Sequence, residues 1–423
     1  MLEIFQHLPA KALFEVFLVS KEFNRLVSRS TKLMSKMKVN WKKFRDRGNR
    51  MFALRRNYVH LIQIKPASLL LKFIRDNSST LSTLHFIDLR SKIFFEKEVY
   101  QILSAVAGTL KELDASGMDV DEQCLEWPKI EMKALERFYN SNYSHCSWFL
   151  ISIISNNKLK FYKKGDISIG LHDDSKKACK PFLHFLGAQK RLKTLILNGS
   201  PLKFLLGNLK AATSFPFRLK TFKCYCDDDF ASPHLLDFIE TQGSSLEELN
   251  LLNAYLTYQD VHRLIAVGIK KIDFEMCEFP LPRRLTITNP AIECVSVTHV
   301  KYQSREDELQ ICDIIRSACN ATTLKLFLTM TFDISLAISH GMEKLKSLEL
   351  SSCIVKFPFW YPSVEEMKFC RIERRDAIKL VRANRQLKKV ILVNEQLTET
   401  LIQDMNEFTS IEVVIEQPQM DID

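Results

Sequence analysis

The chain has 423 residues, of which 46% are hydrophobic and 26% charged, ordinary values for a folded globular protein. Only 11 Gly and 13 Pro occur, which argues against long disordered or collagen-like stretches, and the 11 Cys contain no C-x-x-C pair. That cysteine pattern disfavours a disulfide-stapled scaffold and the usual zinc modules, and cofactors and metals are expected to be absent. Glu3, Lys11 and Glu15 interrupt the first apolar residues, so no signal-peptide core is read there. The longest apolar run, Trp148 to Ile154, is far below the roughly 20 residues of a membrane helix. A cytoplasmic or nuclear protein without membrane contact is expected.

In chain order, the first residues read MLEIFQHLPAKALFEVFLVSKEFNRLVSRS. Leu2, Phe5 and Leu8 suit one helical face, Pro9 ends that helix, and Leu13, Phe17, Phe23 and Leu26 suit further short helices. Composition alone gives a small helical hairpin with a basic tail, which could equally be the polar cap of a repeat array. The order of residues is more specific. Ile4-Phe5-x-x-Leu8-Pro9-x-Lys11-x-Leu13, followed by Val19-Ser20-Lys21-x-Phe23-Asn24-x-Leu26-Val27, resembles the F-box motif. The resemblance implies a compact three-helix module over residues 1–40. It implies docking onto a Skp-type adaptor, and through it a cullin scaffold that carries ubiquitin-transferring subunits. By the same resemblance Leu2, Ile4, Phe5, Leu8, Pro9, Leu13, Val19 and Phe23 are the adaptor-binding residues. The family's usual Leu-Pro-x-Glu opening would precede Met1, so either the sequence is truncated there or the first helix of the module is short.

Next comes a basic block. Between Lys21 and Lys65 lie 14 Lys and Arg against Glu22 and Asp46, more than the whole net charge of +10. Residues 41–58 read as a basic connector between the helical module and the rest of the chain. Phe44 and Phe52 interleave with Arg45, Arg47 and Arg50, yet no nucleic-acid motif accompanies them, and nucleic acid is disfavoured as a partner.

From residue 59 to the C-terminus one pattern recurs: apolar, two residues, apolar, one residue, apolar. Clear copies are Leu192–Leu195–Leu197, Leu219–Phe222–Cys224, Leu246–Leu249–Leu251, Ile269–Ile272–Phe274, Ile292–Val295–Val297, Leu345–Leu348–Leu350, Val364–Met367–Phe369 and Leu387–Val390–Leu392. Leu81–Leu84–Phe86 is another, and weaker copies begin at Val59, Leu110, Leu135, Leu159, Leu324 and Ile411. The mean spacing is about 25 residues, within the leucine-rich-repeat range. Longer intervals before Leu192 and Leu324 are expected to hold insertions or a missed copy. Between copies run helix-like segments such as Val99–Ile102–Leu103–Val106, Val261–Leu264–Ile265 and Leu401–Ile402–Met405, with Thr257 as a helix-start residue. One strand and one helix cannot bury both apolar faces alone, so the units must stack. The chain resembles irregular leucine-rich repeats with Cys277 and Cys353 in the slot that family gives to Asn or Cys. The expected fold is an α/β solenoid, a short helical F-box followed by a curved array of about 14 to 15 repeats over residues 59–423.

Catalytic constellations are not found. The 11 Gly form no G-x-G-x-x-G or phosphate-binding loop, no G-x-S-x-G occurs, and the ten His are scattered without H-E-x-x-H. His145-Cys146 and Cys224-x-Cys226 lack a second ligand pair, so Cys224 is read as a buried structural thiol and Asp227-Asp228-Asp229 as a solvated turn. A non-enzymatic reading results. The leading function is the substrate-recognition subunit of an SCF-type ubiquitin ligase, the repeats holding a target protein that the sequence does not identify. The alternative is a leucine-rich-repeat scaffold with no ligase role. Residues between the apolar strand positions face away from the core. Ile196, Lys223, Tyr225, Leu252, Lys271, Ile391 and Val393 are therefore the expected target-binding residues on the concave side.

Overall fold

A computed structural model describes residues 20, 22–23, 39–40, 58–62, 71–72, 74–76, 78–79, 81–87, 93–116, 118–121, 127–140, 146–164, 174–199, 202, 205, 215–226, 233–279, 287–298, 305–356, 359–393 and 411–416. They fall into two compact units, Met1–Leu219 and Lys220–Asp423.

The first unit is a ladder of parallel strands. In order of pairing it comprises β1 (Val39–Asn40), β2 (Tyr58–Ile62), β3 (Thr83–Ile87), β5 (Glu112–Asp114), β8 (Arg137–Asn140), β10 (Phe161–Lys164) and β11 (Thr194–Asn198). On the return side β4 (Ile93–Phe95) pairs with β6 (Asp119–Asp121), and β7 (Ile130–Glu131) with β9 (Ile154–Ser155). Helices α1 (Glu96–Val106), α2 (Cys146–Ile153) and α3 (Asp174–Gly187) lie in return segments, α3 within the long interval before Leu192.

Among the described residues of the second unit nine strands follow the same scheme: β12 (Thr221–Tyr225), β13 (Glu248–Leu252), β14 (Lys271–Glu275), β15 (Cys294–Thr298), β16 (Thr323–Phe327), β17 (Ser347–Ser351), β18 (Glu366–Cys370), β19 (Lys389–Val393) and β20 (Glu412–Glu416), each parallel to the next. Its helices are α4 (Pro233–Gln242), α5 (Tyr258–Ala266), α6 (Arg305–Ser317), α7 (Phe332–Gly341) and α8 (Arg374–Ala383).

The strands form where they do because the last two apolar positions of each copy alternate with half-buried residues. Leu195 and Leu197, Leu249 and Leu251, and Leu348 and Leu350 are all fully buried. Within a unit each repeat thus presents aliphatic side chains to the next, which is the leucine-rich-repeat form of core. The helices contribute from the other side, with Val99, Ile102, Leu103 and Val106 of α1 and Val261, Leu264 and Ile265 of α5 buried. Thr257 caps α5 as expected. Its Oγ1 accepts from the Asp260 amide at 3.3 Å, and the Thr257 amide donates to the Asp260 carboxylate at 2.8 Å.

Five of the described strands end in the same turn. Seven residues after the first apolar position the backbone is left-handed: Gly199, Asn253, Met276, Ser352 and Arg371 have φ of 55°, 56°, 53°, 45° and 55°. The amides of Asn253, Met276 and Ser352 donate to the carbonyls of Glu275, Thr298 and Cys370 at 2.8, 2.8 and 2.7 Å, which extends the ladder one residue past each strand. The next position is the cysteine slot. Cys277 Sγ donates to the Leu251 carbonyl at 3.3 Å and Cys353 Sγ to the Leu326 carbonyl at 3.4 Å, the backbone-satisfying role the sequence gives them.

A second polar slot, buried at three of its four positions, escapes the sequence reading. Asn156, Gln189, Asn289 and Asn384 each stand three residues before the first apolar position of a copy. Asn384 Nδ2 donates to the Phe359 and Leu380 carbonyls at 2.9 and 2.8 Å, and its Oδ1 accepts from the Tyr361 amide at 2.7 Å. Gln189 Nε2 likewise donates to the Asn156 and Phe185 carbonyls at 2.8 and 2.9 Å. These amides tie one return segment to the next where backbone groups would otherwise be buried without partners.

Three expectations change. Val59 pairs with Leu84 and so occupies the second apolar position, not the first. Leu324 does too: the register Val295↔Leu324↔Leu348 makes the buried Ala321 the opening residue, a small side chain that apolar pattern matching passes over. The parallel ladder also begins earlier than residue 59, because Val39–Asn40 pairs with Leu61–Ile62. The helix expected around Leu401 lies outside the described residues.

Candidate functional site

Parallel registry turns the open face of each ladder into rows of side chains. In the second unit the central row runs Lys223, Asn250, Asp273, Ser296, Lys325, Glu349, Lys368, Ile391 and Val414. Its charges largely satisfy one another. Lys223 Nζ lies 3.2 Å from Glu248, Lys325 Nζ lies 3.1 Å from Glu349, and Asn250 Nδ2 donates to Asp273 at 2.8 Å. Burial raises the Asp273 carboxyl above its ordinary range, against the pull of the Ser296 hydroxyl, Lys223 and Lys325. Exposed pairs of this kind contribute about 0–1 kcal/mol each, so they shape the face more than they stabilise it.

A second row on this face is less polar: Tyr225, Leu252, Glu275, Thr298, Phe327, Ser351, Cys370 and Val393. Tyr225, Leu252, Phe327 and Val393 are half-buried there, and Lys271 stands exposed in the flanking row. Phe327 is absent from the sequence reading because apolar pattern matching places that copy three residues late. Ile391 is a correction. It occupies the expected face but is only 6% exposed, flanked in register by Lys368 and Val414, and has little surface to offer a partner.

The first unit carries a denser group. Register aligns Thr83, Glu112, Arg137, Phe161 and Thr194 in one row, and His85, Asp114, Tyr139, Lys163 and Ile196 in the next. The rings of Tyr139 and Phe161 lie 4.7 Å apart at 38°. Above them the Arg137 guanidinium stands 5.9 Å from the Tyr139 centroid and 5.4 Å from that of Phe161. Glu112 holds this cation from the side at 3.9 Å and is itself held by His85 Nε2 at 2.8 Å. Burial raises the Tyr139 phenol above its ordinary value, opposed by Arg137, so it remains neutral at physiological pH. A half-exposed guanidinium over two aromatic rings, with a carboxylate at its side, is the composition of an interface anchor. Ile196 joins it through its register with Lys163. The signal is present in the sequence: the facing-residue rule applied to the weak copies at Leu135 and Leu159 names Arg137, Tyr139, Phe161 and Lys163.

Of the residues assigned to adaptor binding, Leu2, Ile4, Phe5, Leu8, Pro9, Leu13 and Val19 lie outside the described residues. Phe23 is described. Its amide donates to Ser20 Oγ at 3.1 Å, and Glu22 and Phe23 are helical, so Ser20 begins a helix inside the F-box-like segment.

Among the described residues no group of three or more His, Cys, Asp or Glu is placed to hold a metal ion, and no helix is long and apolar enough to cross a membrane. Eight described cysteines are free thiols. Burial pushes Cys353 up to about 11 and Cys312 up to about 12, and pushes Cys224 and Cys277 well upward. Since the thiolate is the reactive form, these four are expected to resist alkylation in the folded protein at pH 8 and to react fully in denaturant. Mass spectrometry of the labelled protein checks this, and rapid native labelling of Cys277 or Cys353 would contradict the placement of the slot.

No protein-family model matches the chain, and no curated protein matches it. Among solved structures, the leucine-rich repeat-containing protein LegL7 from Legionella pneumophila is similar over 66% of this chain and 92% of its own, with 13% identity and a TM-score of 0.39. The TLR13–ssRNA13 complex is similar over 90% of this chain, with 12% identity and a TM-score of 0.45. This chain spans about half the length of the latter, 52%.

Proposed function

We propose that the chain is a protein-binding repeat module that acts as the substrate-recognition subunit of an SCF-type ubiquitin ligase. The observation that carries the binding part is the Arg137–Tyr139–Phe161 group on the open sheet face, with Tyr225, Leu252 and Lys223 as a second contact region in the other unit. The ligase part rests on the order Leu8-Pro9 with Val19-Ser20-Lys21-x-Phe23 and its resemblance to the F-box. In this reading the chain performs no chemistry of its own. It raises the effective concentration of a target lysine near the charged conjugating enzyme, and works in the cytoplasm or nucleus.

Co-purification with a Skp-type adaptor tests the ligase part. The full chain should retain the adaptor, and replacing Leu8 and Pro9 together by Ala should abolish retention while leaving the thermal transition of the repeats in place. A chain that fails to hold the adaptor even with an upstream Leu-Pro segment supplied would leave the second reading, a leucine-rich-repeat scaffold without a ligase role. The aromatic and cationic binding face favours that reading equally.

A further inference from the structure

The return segments of the second unit are not alike. The copies opening at Ala321 and Val364 carry α7 and α8, but only 19 residues separate Leu345 from Val364. The described part of that return, residues 352–356 and 359–365, contains no helix. Because β17 lies between β16 and β18, the helix-free segment separates α7 from α8. Large apolar side chains collect at this gap. Phe332 on α7 is 50% exposed, Ile354 is 59% exposed and Trp360 is 61% exposed. Phe332 and Phe359 make an edge contact at 5.2 Å. Trp360 is held in place, its carbonyl accepting from Ser339 Oγ at 3.2 Å and its indole N–H donating to Gln386 at 3.2 Å.

A fixed, exposed tryptophan in the same short return as an exposed isoleucine, next in sequence to the Phe359 ring that meets exposed Phe332, is apolar surface that a monomer ordinarily covers. The surrounding charge has one dominant sign. Lys356, Arg375 and Arg385 are exposed and form no ion pair with a described residue, Lys379 leans on Asp376 at 3.0 Å, and Glu373 is the exposed acid of the α8 cap. Asp333 of α7 is engaged on the other side by Arg305 at 3.8 Å.

We propose that this gap docks an amphipathic helix of a partner protein, with apolar residues on one stripe and Asp or Glu on its flanks. Such a helix would supply the helix the short repeat lacks. Its apolar stripe would cover Phe332, Ile354 and Trp360, and its acids would meet Lys356, Arg375 and Arg385. The site lies on the return side of the sheet, so it is independent of the open face and of any ligase role.

The test is a selection of displayed amphipathic helices, with randomised polar positions, against the full chain. Enriched sequences are expected to carry apolar residues at i, i+3, i+4 and i+7 with acidic flanks. Their affinity should fall about tenfold or more in Trp360→Ala and in Phe332→Ser, and fall less, in a salt-dependent way, in Arg385→Glu. Trp360 and Phe332 are half or more exposed, so both variants should keep the parent melting temperature, which removes unfolding as a cause. No enrichment, enrichment of basic helices, or binding indifferent to both variants would overturn the proposal. So would a concentration-dependent dimer that Trp360→Ala abolishes, because it would make a second copy the occupant.

Discussion

Replacing Asn384 by Ala is expected to lower the unfolding free energy of the second unit by about 3–5 kcal/mol, a large fraction of a typical domain's stability. Asn384 is fully buried, and all of its polar atoms are engaged. Alanine leaves the Tyr361 amide and the carbonyls of Phe359 and Leu380 without these bonds, in a place water does not reach. Each such orphan costs about 1–3 kcal/mol, and the missing side chain adds a small cavity. Asn384→Asp should be nearly as harmful, because a carboxylate accepts from Tyr361 but gives nothing to the two carbonyls. The adjacent, exposed Arg385→Ala is the control and should stay within about 0.5 kcal/mol. Urea midpoints decide the matter: a loss under about 1 kcal/mol for Asn384→Ala would mean the slot is not what joins consecutive repeats.

The same slot marks a boundary of what the sequence makes legible. The strands are legible because burial alternates with period two, and an aliphatic triad every 25 residues or so leaves a strong trace. Where a copy opens on a small residue the trace weakens, so Ala321 escapes notice and the register of that copy slips. The left-handed turns are harder still. Only Gly199 announces one, whereas Asn253, Met276, Ser352 and Arg371 adopt the same conformation with side chains that most residues carry in other backbone regions. Helix α7 has little amphipathic pattern, since Ser335 and Ala337 are buried beside Ile334 and Ile338. The buried amides look like ordinary polar loop residues until the three-dimensional return path brings several carbonyls to one point. On the open face the rule that names facing residues is sound, but the clear copies alone do not contain the Arg137 group. Its members sit in weak copies, within reach of the same rule. Ile391 fails for the opposite reason: facing away from the core is not the same as being accessible when Lys368 and Val414 flank it in register.

The face itself makes the second large prediction. Phe161→Ala and Tyr139→Ala should each reduce capture of the target by about 30-fold, the loss of about 2 kcal/mol typical of an aromatic anchor. The double variant should lose less than the product of the two. The rings touch at 4.7 Å, so removing either one already disturbs the platform under Arg137. Arg137→Lys should recover part of the Arg137→Ala loss, because a compact ammonium keeps the charge beside Glu112 but not the planar stacking. Adaptor retention should be unchanged in all of these, since the group lies on the ladder and the F-box-like segment does not include it. The measurement is quantitative mass spectrometry of proteins that accumulate with the chain when the proteasome is inhibited, wild type against each variant. Tyr225→Ala and Leu252→Ala, run in parallel, report whether the second region contributes to the same target. If all the open-face variants keep the target while substitutions on the return helices remove it, recognition belongs to the outer side of the repeats and the assignment of this face is wrong.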